Sequence, residues 1–294
     1  MKIAFLFGSL NCGGTETLLL DVCRNLSKDD FDAIGVYRKE GILETAFVES
    51  DIPFFKLTSR KNKIVYLWKL RTLLNAQKVD IVHAQQPIDA LYAKIACLFI
   101  NKKIILTFHG FDFTSGNKLI KFIIKRTDCN IFVSEYQKNY YISKYKLTQQ
   151  AQSVVYNGID FSKLNLSDVR DASKTLKNEL HLNSKDTLLL GMVGNFNDVR
   201  DQYTVCKFLK LLDEKGLDFR FVFVGKRIGQ IPERYDRCVD FCNENQLNHK
   251  VSFLGIRNDV PEILSELDVF IYSTEHDTFG IAVAEAMAAG FWCW

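Results

Sequence analysis

Two carboxylates near the end of the chain flank the start of a predicted helix. The segment DTFGIAVAEAMAAG places Asp277 before this helix, which we expect to begin near Phe279 and Gly280, and Glu285 within it. Free backbone N–H groups at a helix start favour an anion. At a rise of 1.5 Å per residue, Glu285 would stand roughly 8–9 Å along the axis from Phe279. This is about the distance between the pyrophosphate and the ribose of a nucleotide. The spacing predicts hydroxyl binding by Glu285, with Asp277 facing the other end of the ligand.

Two further positions follow predicted strands, where doubly wound sheets bind ligands. Gly13 and Gly14 lie between the strand KIAFLF and a helix, and glycines there let a phosphate or sugar approach the backbone. An ordinary tight turn explains them equally well. His109 follows the strand KIILTF and is either part of a site or a structural histidine.

Arg200 precedes a predicted helix of the second half of the chain, in NFNDVRDQYT. Its planar guanidinium suits a diphosphate, and a fixed positive charge there is worth ~2–4 kcal/mol as charge develops on a leaving group. The alternative is a solvated side chain paired with Asp198 or Asp201.

Short β-branched or aromatic runs alternate with helical patterns along the whole chain, which predicts α/β architecture with parallel sheets covered by helices on both faces. Seven predicted strands lie before residue 158 and four after residue 186. We therefore predict two tandem doubly wound domains, residues 1–165 and 187–294, facing a cleft, with a linker region at 166–186.

The net charge of +3 is unevenly distributed: residues 1–165 carry 23 Lys or Arg against 15 Asp or Glu, and the remainder carries 15 against 20. Segment 59–78 (SRKNKIVYLWKLRTLLNAQK) has six basic and no acidic residues around an apolar pattern. Such a helix either lies on an anionic membrane surface or packs one face on the sheet and exposes a solvated basic face.

The remaining composition excludes several classes of protein. No apolar run is long enough for a membrane span and no secretory signal is recognisable, which predicts a cytoplasmic protein. The eight cysteines lack C-x-x-C spacing, so we expect buried structural residues, Cys238 and Cys242 included, rather than a zinc site. The D-x-D triplet at 30–32 precedes its strand and is interpreted as a turn.

With these residues in hand, the sequence resembles the retaining GT-B glycosyltransferases of the large bacterial family 4 (glycosyl transferases group 1). The motifs that carry the resemblance, in order along the chain, are GGTET, HGFD, VSEYQ, YNGID, MVGNFNDVRDQ, FVGK, FLGIRNDVPEIL and DTFGIAVAEAMAAG. The last is the most specific. The resemblance implies two Rossmann-like domains and a metal-independent, hexosyltransferase-type enzyme of polysaccharide biosynthesis, such as that of capsule or lipopolysaccharide. It would use a UDP- or GDP-linked sugar as substrate and a saccharide or lipid-linked acceptor, without a cofactor or nucleic acid, at the inner membrane face.

The resemblance also assigns roles. Catalysis would depend on His109, facing the transferred sugar, on Asp277, binding its hydroxyls, and on Arg200, holding the diphosphate. The remaining donor-binding positions would be Gly13 and Gly14 by the phosphates, Ile256 and Arg257 beside the base, Phe279 and Gly280 through backbone N–H groups, and Glu285 at the ribose.

Two positions depart from the family pattern. Asp277 replaces the usual Glu, with Glu275 close enough to substitute, and Asn195 replaces the usual Arg, which leaves Arg200 as the evident cation of its loop. The chain also stops at FWCW, four residues after EAMAAG, where family members continue. We therefore expect an incomplete second domain from a truncated or frameshifted gene product, with weak or absent turnover. The alternatives are an inactive donor-binding remnant or interaction protein, and a nucleotide-sugar 2-epimerase of the same fold.

Overall fold

The structure is a computed structural model that describes the chain except for residues 12, 27–30, 51, 59–61, 112–116, 148–150, 162–175, 183–185, 198, 228–231 and 291–294. The chain divides into two compact units, Met1–Gly158 and Ile159–Trp294. Most of the predicted linker, at 166–175 and 183–185, lies outside the described residues, as does the D-x-D residue at position 30.

Unit 1 is a parallel sheet with helices on both faces, as expected. Its strands are β1 (Lys2–Phe7), β2 (Asp32–Tyr37), β3 (Phe54–Lys56), β4 (Ile81–Ala84), β5 (Lys103–Phe108), β6 (Cys129–Phe132) and β7 (Ala151–Val154). They lie in the order β3-β2-β1-β4-β5-β6-β7, and each pair is parallel. Because the chain reverses direction across the sheet between β1 and β4, the carboxyl ends of these two strands form a topological switch point, where such sheets bind ligands.

The helices of unit 1 are α1 (Gly14–Asn25), α2 (Glu44–Val48), α3 (Lys63–Ala76), α4 (Pro87–Ala96), α5 (Lys118–Ile123) and α6 (Glu135–Tyr145). Side-chain caps mark several starts: Asn62, Asn117 and Ser134 accept backbone N–H groups of α3, α5 and α6. Apolar side chains of α3 and α4, including Tyr66, Leu70 and Ala93, pack with strand residues in one core cluster. The sheet is thus fixed against its helices by burial of apolar surface.

Unit 2 contains a four-stranded parallel sheet within its described residues, in the order β10-β9-β8-β11. Its elements are β8 (Leu188–Val193), β9 (Phe219–Val224), β10 (Val251–Gly255) and β11 (Val269–Phe270), with α7 (Leu176–Glu179), α8 (Gln202–Glu214), α9 (Pro232–Glu244), α10 (Val260–Glu266) and α11 (Ile281–Ala288). The chain reverses between β8 and β11, which makes their carboxyl ends the second switch point.

Strand β11 is shorter than the predicted strand at 268–273. Beyond Ile271 the backbone turns to the loop that follows β8: Ser273 O accepts from Asp201 N at 3.1 Å, and Glu275 N donates to Val199 O at 3.0 Å. These hydrogen bonds replace the sheet pairing and fasten the two loops to each other.

Five of the six cysteines in the described part of the chain are buried, and Cys129 is partly exposed, contrary to expectation. Cys12 and Cys293 lie outside the described residues. Cys206 on α8 and Cys238 and Cys242 on α9 are all buried in the core of unit 2, which confirms the interpretation of the last two as core residues. Hydrogen bonding to Cys238 and Cys242, together with burial, raises the pKa of the Cys206 thiol. Among the described residues, no group of three His, Cys, Asp or Glu side chains is arranged to hold a metal ion. No described helix has the length and apolar character needed to cross a membrane.

Candidate functional site

The first candidate site lies at the switch point of unit 1. A cavity of about 250 Å³ is lined by residues that follow β4 and β5 and by the first turn of α1. Its polar lining residues are Thr15, Glu16, Gln85, Gln86, Thr107, His109 and Tyr141. The expected position of His109 at the end of β5 is confirmed, because β5 ends at Phe108.

His109 is a neutral hydrogen-bonding group in this cavity. Its Nε2 lies 2.9 Å from Oε1 of Gln85, and because the amide oxygen only accepts, the ring must donate from Nε2. Burial lowers the pKa of His109 to about 4. Burial likewise lowers the pKa of neighbouring His83 to about 4, with His109 contributing. At neutral pH the imidazole of His109 therefore carries no charge and presents Nδ1 as an acceptor.

Gly13 and Gly14 form the start of α1 beside this cavity. Gly13 is the N-cap, in an extended conformation and without a side-chain cap, and Gly14 is the first helical residue. A Cβ at Gly13 would lie 2.8 Å from Oε2 of Glu16, so the absence of a side chain leaves room for that carboxylate. Burial raises the pKa of Glu16, although a hydrogen bond from its own backbone opposes the shift.

The second candidate site lies at the switch point of unit 2, where Arg200 and Asp277 meet. Arg200 Nη1 donates to Oδ2 of Asp277 at 2.5 Å, and the Tyr272 hydroxyl donates to the same oxygen at 2.5 Å. The guanidinium carbon of Arg200 also lies 4.7 Å from the centre of the Tyr272 ring. Two side chains predicted to share a site are thus brought into contact from loops far apart in the sequence.

The electrostatics of this group favour ionised Asp277. Burial alone would oppose ionisation, but the hydrogen bonds from Tyr272 and Arg200 and the charge of Arg200 bring the pKa of Asp277 below its ordinary value. The pKa of Tyr272 is raised by burial and by its hydrogen bond to Asp277. The result is a paired guanidinium and carboxylate, both less than a quarter exposed.

Two alternative partners of Arg200 were considered. Asp201 instead caps α8 by accepting the N–H of Thr204, and Asp198 lies outside the described residues. The Arg200 backbone N–H donates to Asn197 Oδ1, which shapes the loop. Glu275, the considered substitute for Asp277, is an exposed residue.

Helix α11 begins at Ile281, two residues later than predicted. Gly280 is the N-cap in a left-handed conformation, with φ +82, that only glycine adopts readily, and no side chain caps the helix. The helical rise estimated from Phe279 to Glu285 therefore does not apply, because the helix starts at Ile281 and the four steps from Ile281 to Glu285 give about 6 Å of rise. Phe279 belongs to the turn before the helix.

Arg257 is held in a network of ion pairs beside the exposed Ile256. It donates from Nε and Nη2 to Asp259 at 2.8 and 2.6 Å, and from Nη1 to Glu179 at 2.9 Å. These contacts join α7 to the loop between β10 and α10. This structural role of Arg257 was not predicted from the sequence.

Three further residues belong to these sites and were not singled out from the sequence: Gln85, Glu16 and Tyr272. Gln85 was within reach of the strand-end rule, since it directly follows β4. Glu16 lies two residues after Gly14 in the same motif. Tyr272 was predicted to lie in a strand, so its hydrogen bond to Asp277 was not anticipated.

Asn195, which replaces the usual Arg, organises the strand-end loops of unit 2. Its Oδ1 accepts from the backbone N–H of Lys226 at 2.7 Å, and its backbone oxygen accepts from Gln202. Arg200 therefore remains the cation that approaches Asp277 in the described part of this loop.

Comparisons with known proteins place this architecture among the two-domain GT-B glycosyltransferases. Residues 12–163 match the family model described as Glycosyltransferase Family 4, and residues 173–293 match Glycosyl transferases group 1. The chain therefore belongs to the group 1 GT-B glycosyltransferases.

Two curated relatives illustrate the similarity. The UDP-Gal:alpha-D-GlcNAc-diphosphoundecaprenol alpha-1,3-galactosyltransferase of Escherichia coli is 26% identical over 301 residues, which are 95% of this chain and 75% of that protein. The N-acetyl-alpha-D-glucosaminyl L-malate synthase of Bacillus anthracis is 30% identical over 235 residues, 76% of this chain and 58% of that protein.

Solved structures show the same fold. HepE of Anabaena, crystallised with UDP and glucose, superposes with a TM-score of 0.84 at 19% identity, over 100% of this chain and 80% of that chain. The chain is thus shorter than each of these relatives.

Proposed function

We propose that the protein is a retaining glycosyltransferase that transfers a hexosyl group from a UDP- or GDP-linked sugar to a saccharide or lipid-linked acceptor in capsule or lipopolysaccharide synthesis. The contact between Arg200 and Asp277 at the switch point of unit 2 is the observation on which the proposal mainly rests. The named substrate of the E. coli relative, a UDP-sugar and a diphosphoundecaprenol-linked sugar, supports the choice of substrates.

In this proposal Arg200 binds the diphosphate of the donor. Its planar guanidinium offers several parallel N–H donors, and Asp277 and the Tyr272 ring already fix its orientation. The uncapped start of α11 adds backbone N–H groups that favour the same anion. Such preorganised donors stabilise charge that develops on the departing diphosphate.

Asp277 binds hydroxyls of the transferred sugar, and Glu285, within α11, binds the ribose. Because the pKa of Asp277 lies below its ordinary value, the carboxylate is ionised at neutral pH and accepts hydrogen bonds only. His109, neutral and held by Gln85, contributes a polar contact from the cavity of unit 1 without adding a charge.

The chemical step follows from these roles. The bond between the anomeric carbon and the diphosphate oxygen breaks, and the acceptor oxygen bonds to the same face of that carbon. The acceptor proton passes to the departing diphosphate, so that no side chain must act as base. Arg200 and the start of α11 stabilise the negative charge of this leaving group in place of a metal ion. The contribution of the protein is positioning and electrostatic stabilisation.

The direct test is to incubate the purified chain with UDP- and GDP-sugars and a diphosphoundecaprenol-linked acceptor. Transfer with an unchanged anomeric configuration by NMR, insensitive to EDTA, would support the proposal. Binding without turnover would favour a donor-binding remnant, and formation of an epimer would favour a 2-epimerase. Product with the inverted configuration would refute the retaining mechanism.

Transfer to a lipid-linked acceptor would take place at the inner face of the membrane. We therefore place the protein in the cytoplasm, in peripheral contact with that surface. Segment 59–78 is the first candidate for this contact, although residues 59–61 lie outside the described residues.

A further inference from the structure

The cavity at the switch point of unit 1 contains a buried hydrogen-bond donor without a partner among the described residues. Gln85, which directly follows β4, lines this cavity and is only 5% exposed. Its Oε1 accepts from His109 Nε2, and this contact fixes the orientation of the amide. Its Nε2 is the donor that lacks a partner. Because a buried amide that stays unpaired costs free energy, this donor indicates a ligand with an acceptor oxygen.

The charges around this cavity favour a neutral ligand. Its described lining residues include no Lys or Arg and a single carboxylate, that of Glu16. The ring of His109 is neutral, because burial lowers its pKa to about 4. An anionic group would therefore meet no positive side chain here. A neutral group that has both an acceptor and a donor could bind Gln85 and Glu16 together.

Part of the same lining is apolar, and it consists of Pro87, Phe108 and Phe111. The ring of Phe111 makes edge-to-face contacts with Tyr136 and Tyr140, at centre-to-centre distances of 5.5 and 5.0 Å. The face of an aromatic ring carries partial negative charge and attracts the polarised C–H groups of a sugar. A few polar groups beside an apolar and aromatic wall are typical of a site for a small molecule.

Helix α6 holds this wall in place. The Gly110 carbonyl oxygen accepts hydrogen bonds from Gln137 Nε2 at 3.0 Å and from the Tyr141 hydroxyl at 3.1 Å. Gln137 is itself fully buried. Since Gly110 lies between His109 and Phe111, these two bonds fix the backbone that carries both side chains. The wall is thus organised before a ligand binds, which lowers the cost of binding.

We propose that this cavity binds the acetamido group and the ring of an N-acetylated sugar, as one of the two sugars of the transfer reaction. The carbonyl oxygen of the acetamido group accepts from Gln85 Nε2, its N–H donates to Glu16, and its methyl group packs on the apolar wall. A hydroxyl group in the same place would pair with the donor but leave the apolar wall uncovered. The volume of about 250 Å³ suits a single sugar ring, because pockets for drug-sized ligands have roughly 300–1,000 Å³. The inference rests on the proposed function and specifies one of its substrates.

The first test measures binding without turnover. Free N-acetylglucosamine and free glucose, which differ only in the group at C2, are titrated into the full chain while NMR follows the ring protons of His109. We expect N-acetylglucosamine to bind at least about tenfold more tightly, since it gains both a hydrogen bond and methyl burial. Gln85→Met keeps the length of the side chain but removes the amide, and it should lower this ratio of affinities at least about threefold.

The matched control is Gln152→Met on the edge strand β7, which should keep the wild-type ratio. Equal affinities of the wild type for the two sugars, binding of neither sugar, or an unchanged ratio in Gln85→Met would overturn the proposal. Inorganic phosphate that shifts the His109 signals and binds more tightly than N-acetylglucosamine would also overturn it and indicate an anion site.

Kinetics identifies which sugar of the reaction occupies the cavity. Transfer is measured from UDP-N-acetylglucosamine and UDP-glucose, and onto acceptors that end in N-acetylglucosamine or glucose. Gln85→Met should weaken the preference for the acetamido group on one side of the reaction, donor or acceptor. An active enzyme whose preferences Gln85→Met leaves unchanged on both sides would contradict the assignment. Binding of N-acetylglucosamine that depends on Gln85, in a chain that transfers no sugar, would support the site and count against the proposed function alone.

Discussion

Arg200 and Asp277, 77 positions apart in the sequence, are joined by a hydrogen-bonded ion pair of 2.5 Å at the carboxyl ends of β8 and β11. The pair is mostly shielded from solvent and shares Tyr272 as a third partner. Neither side chain acts alone: the carboxylate orients the guanidinium, and the guanidinium keeps the carboxylate ionised.

Removal of the Arg200 guanidinium should abolish most of the transfer from the nucleotide-sugar donor. We expect Arg200→Gln to lower kcat/KM for the nucleotide sugar by about a hundredfold or more, as for other preorganised donors of a transition state. The matched control, Lys210→Gln on the exposed side of α8, should change it less than about twofold. Steady-state kinetics measures kcat/KM for both variants. If turnover is too slow, calorimetry measures their affinity for the nucleotide instead. A value for Arg200→Gln equal to that of the wild type would remove the central support of the proposed function.

The depressed pKa of Asp277 makes its contribution to stability depend on pH. Because the folded-state pKa lies below the ordinary value of 3.8, ionised Asp277 stabilises the fold above the unfolded pKa, and this stabilisation is lost as the pH falls through the folded pKa. Asp277→Asn should therefore lower the free energy of unfolding by about 1–3 kcal/mol at neutral pH. The difference from wild type should shrink below pH 3.8. Urea unfolding over this pH range, followed by circular dichroism, measures the difference in free energy of unfolding between the wild type and Asp277→Asn. A difference that increases towards acidic pH would contradict the lowered pKa of Asp277.

Burial should keep the His109 imidazole neutral, with Gln85 as the hydrogen-bond partner of its Nε2. NMR titration of the wild type should place the pKa of His109 at about 4. In Gln85→Glu, a carboxylate beside Nε2 favours the charged ring and should raise that pKa towards neutrality. Gln152→Glu on the edge strand β7 introduces the same charge elsewhere in unit 1 and should leave it unchanged. An ordinary histidine titration in the wild type would show that the ring is not held as described.

Gly280 permits a test that separates strain from ligand binding. Gly280→Ala and Gly216→Ala both place a side chain on a left-handed backbone, at φ +82 and +74, and each should cost about 1 kcal/mol of stability. Only Gly280 is the N-cap of α11, so only its substitution should weaken binding of the nucleotide sugar in calorimetry. Equal affinities for both variants would mean that the start of α11 does not contact the donor.

The parallel α/β architecture was predictable because buried strands such as FRFVFV and KIILTF are nearly continuous apolar runs between amphipathic helices. The short helices α2 and α5 were not identified from the sequence, since five or six residues contain too few turns to show a helical period. The strand-end rule led to His109 and Arg200. The partner of Arg200 was not predictable, because no local pattern indicates which of several nearby carboxylates a loop will face. The roles of Arg257 and Gln85 likewise depend on tertiary contacts.

The three thiols between α8 and α9 can report when these two helices of unit 2 separate. Cys206, Cys238 and Cys242 are sealed from solvent, and the pKa of Cys206 is raised, so this thiol stays protonated and unreactive in the native state. Alkylation of these positions, read out by peptide mass spectrometry, would therefore proceed only through fluctuations that separate the two helices. The rate would follow the local unfolding of unit 2 without an engineered reporter group.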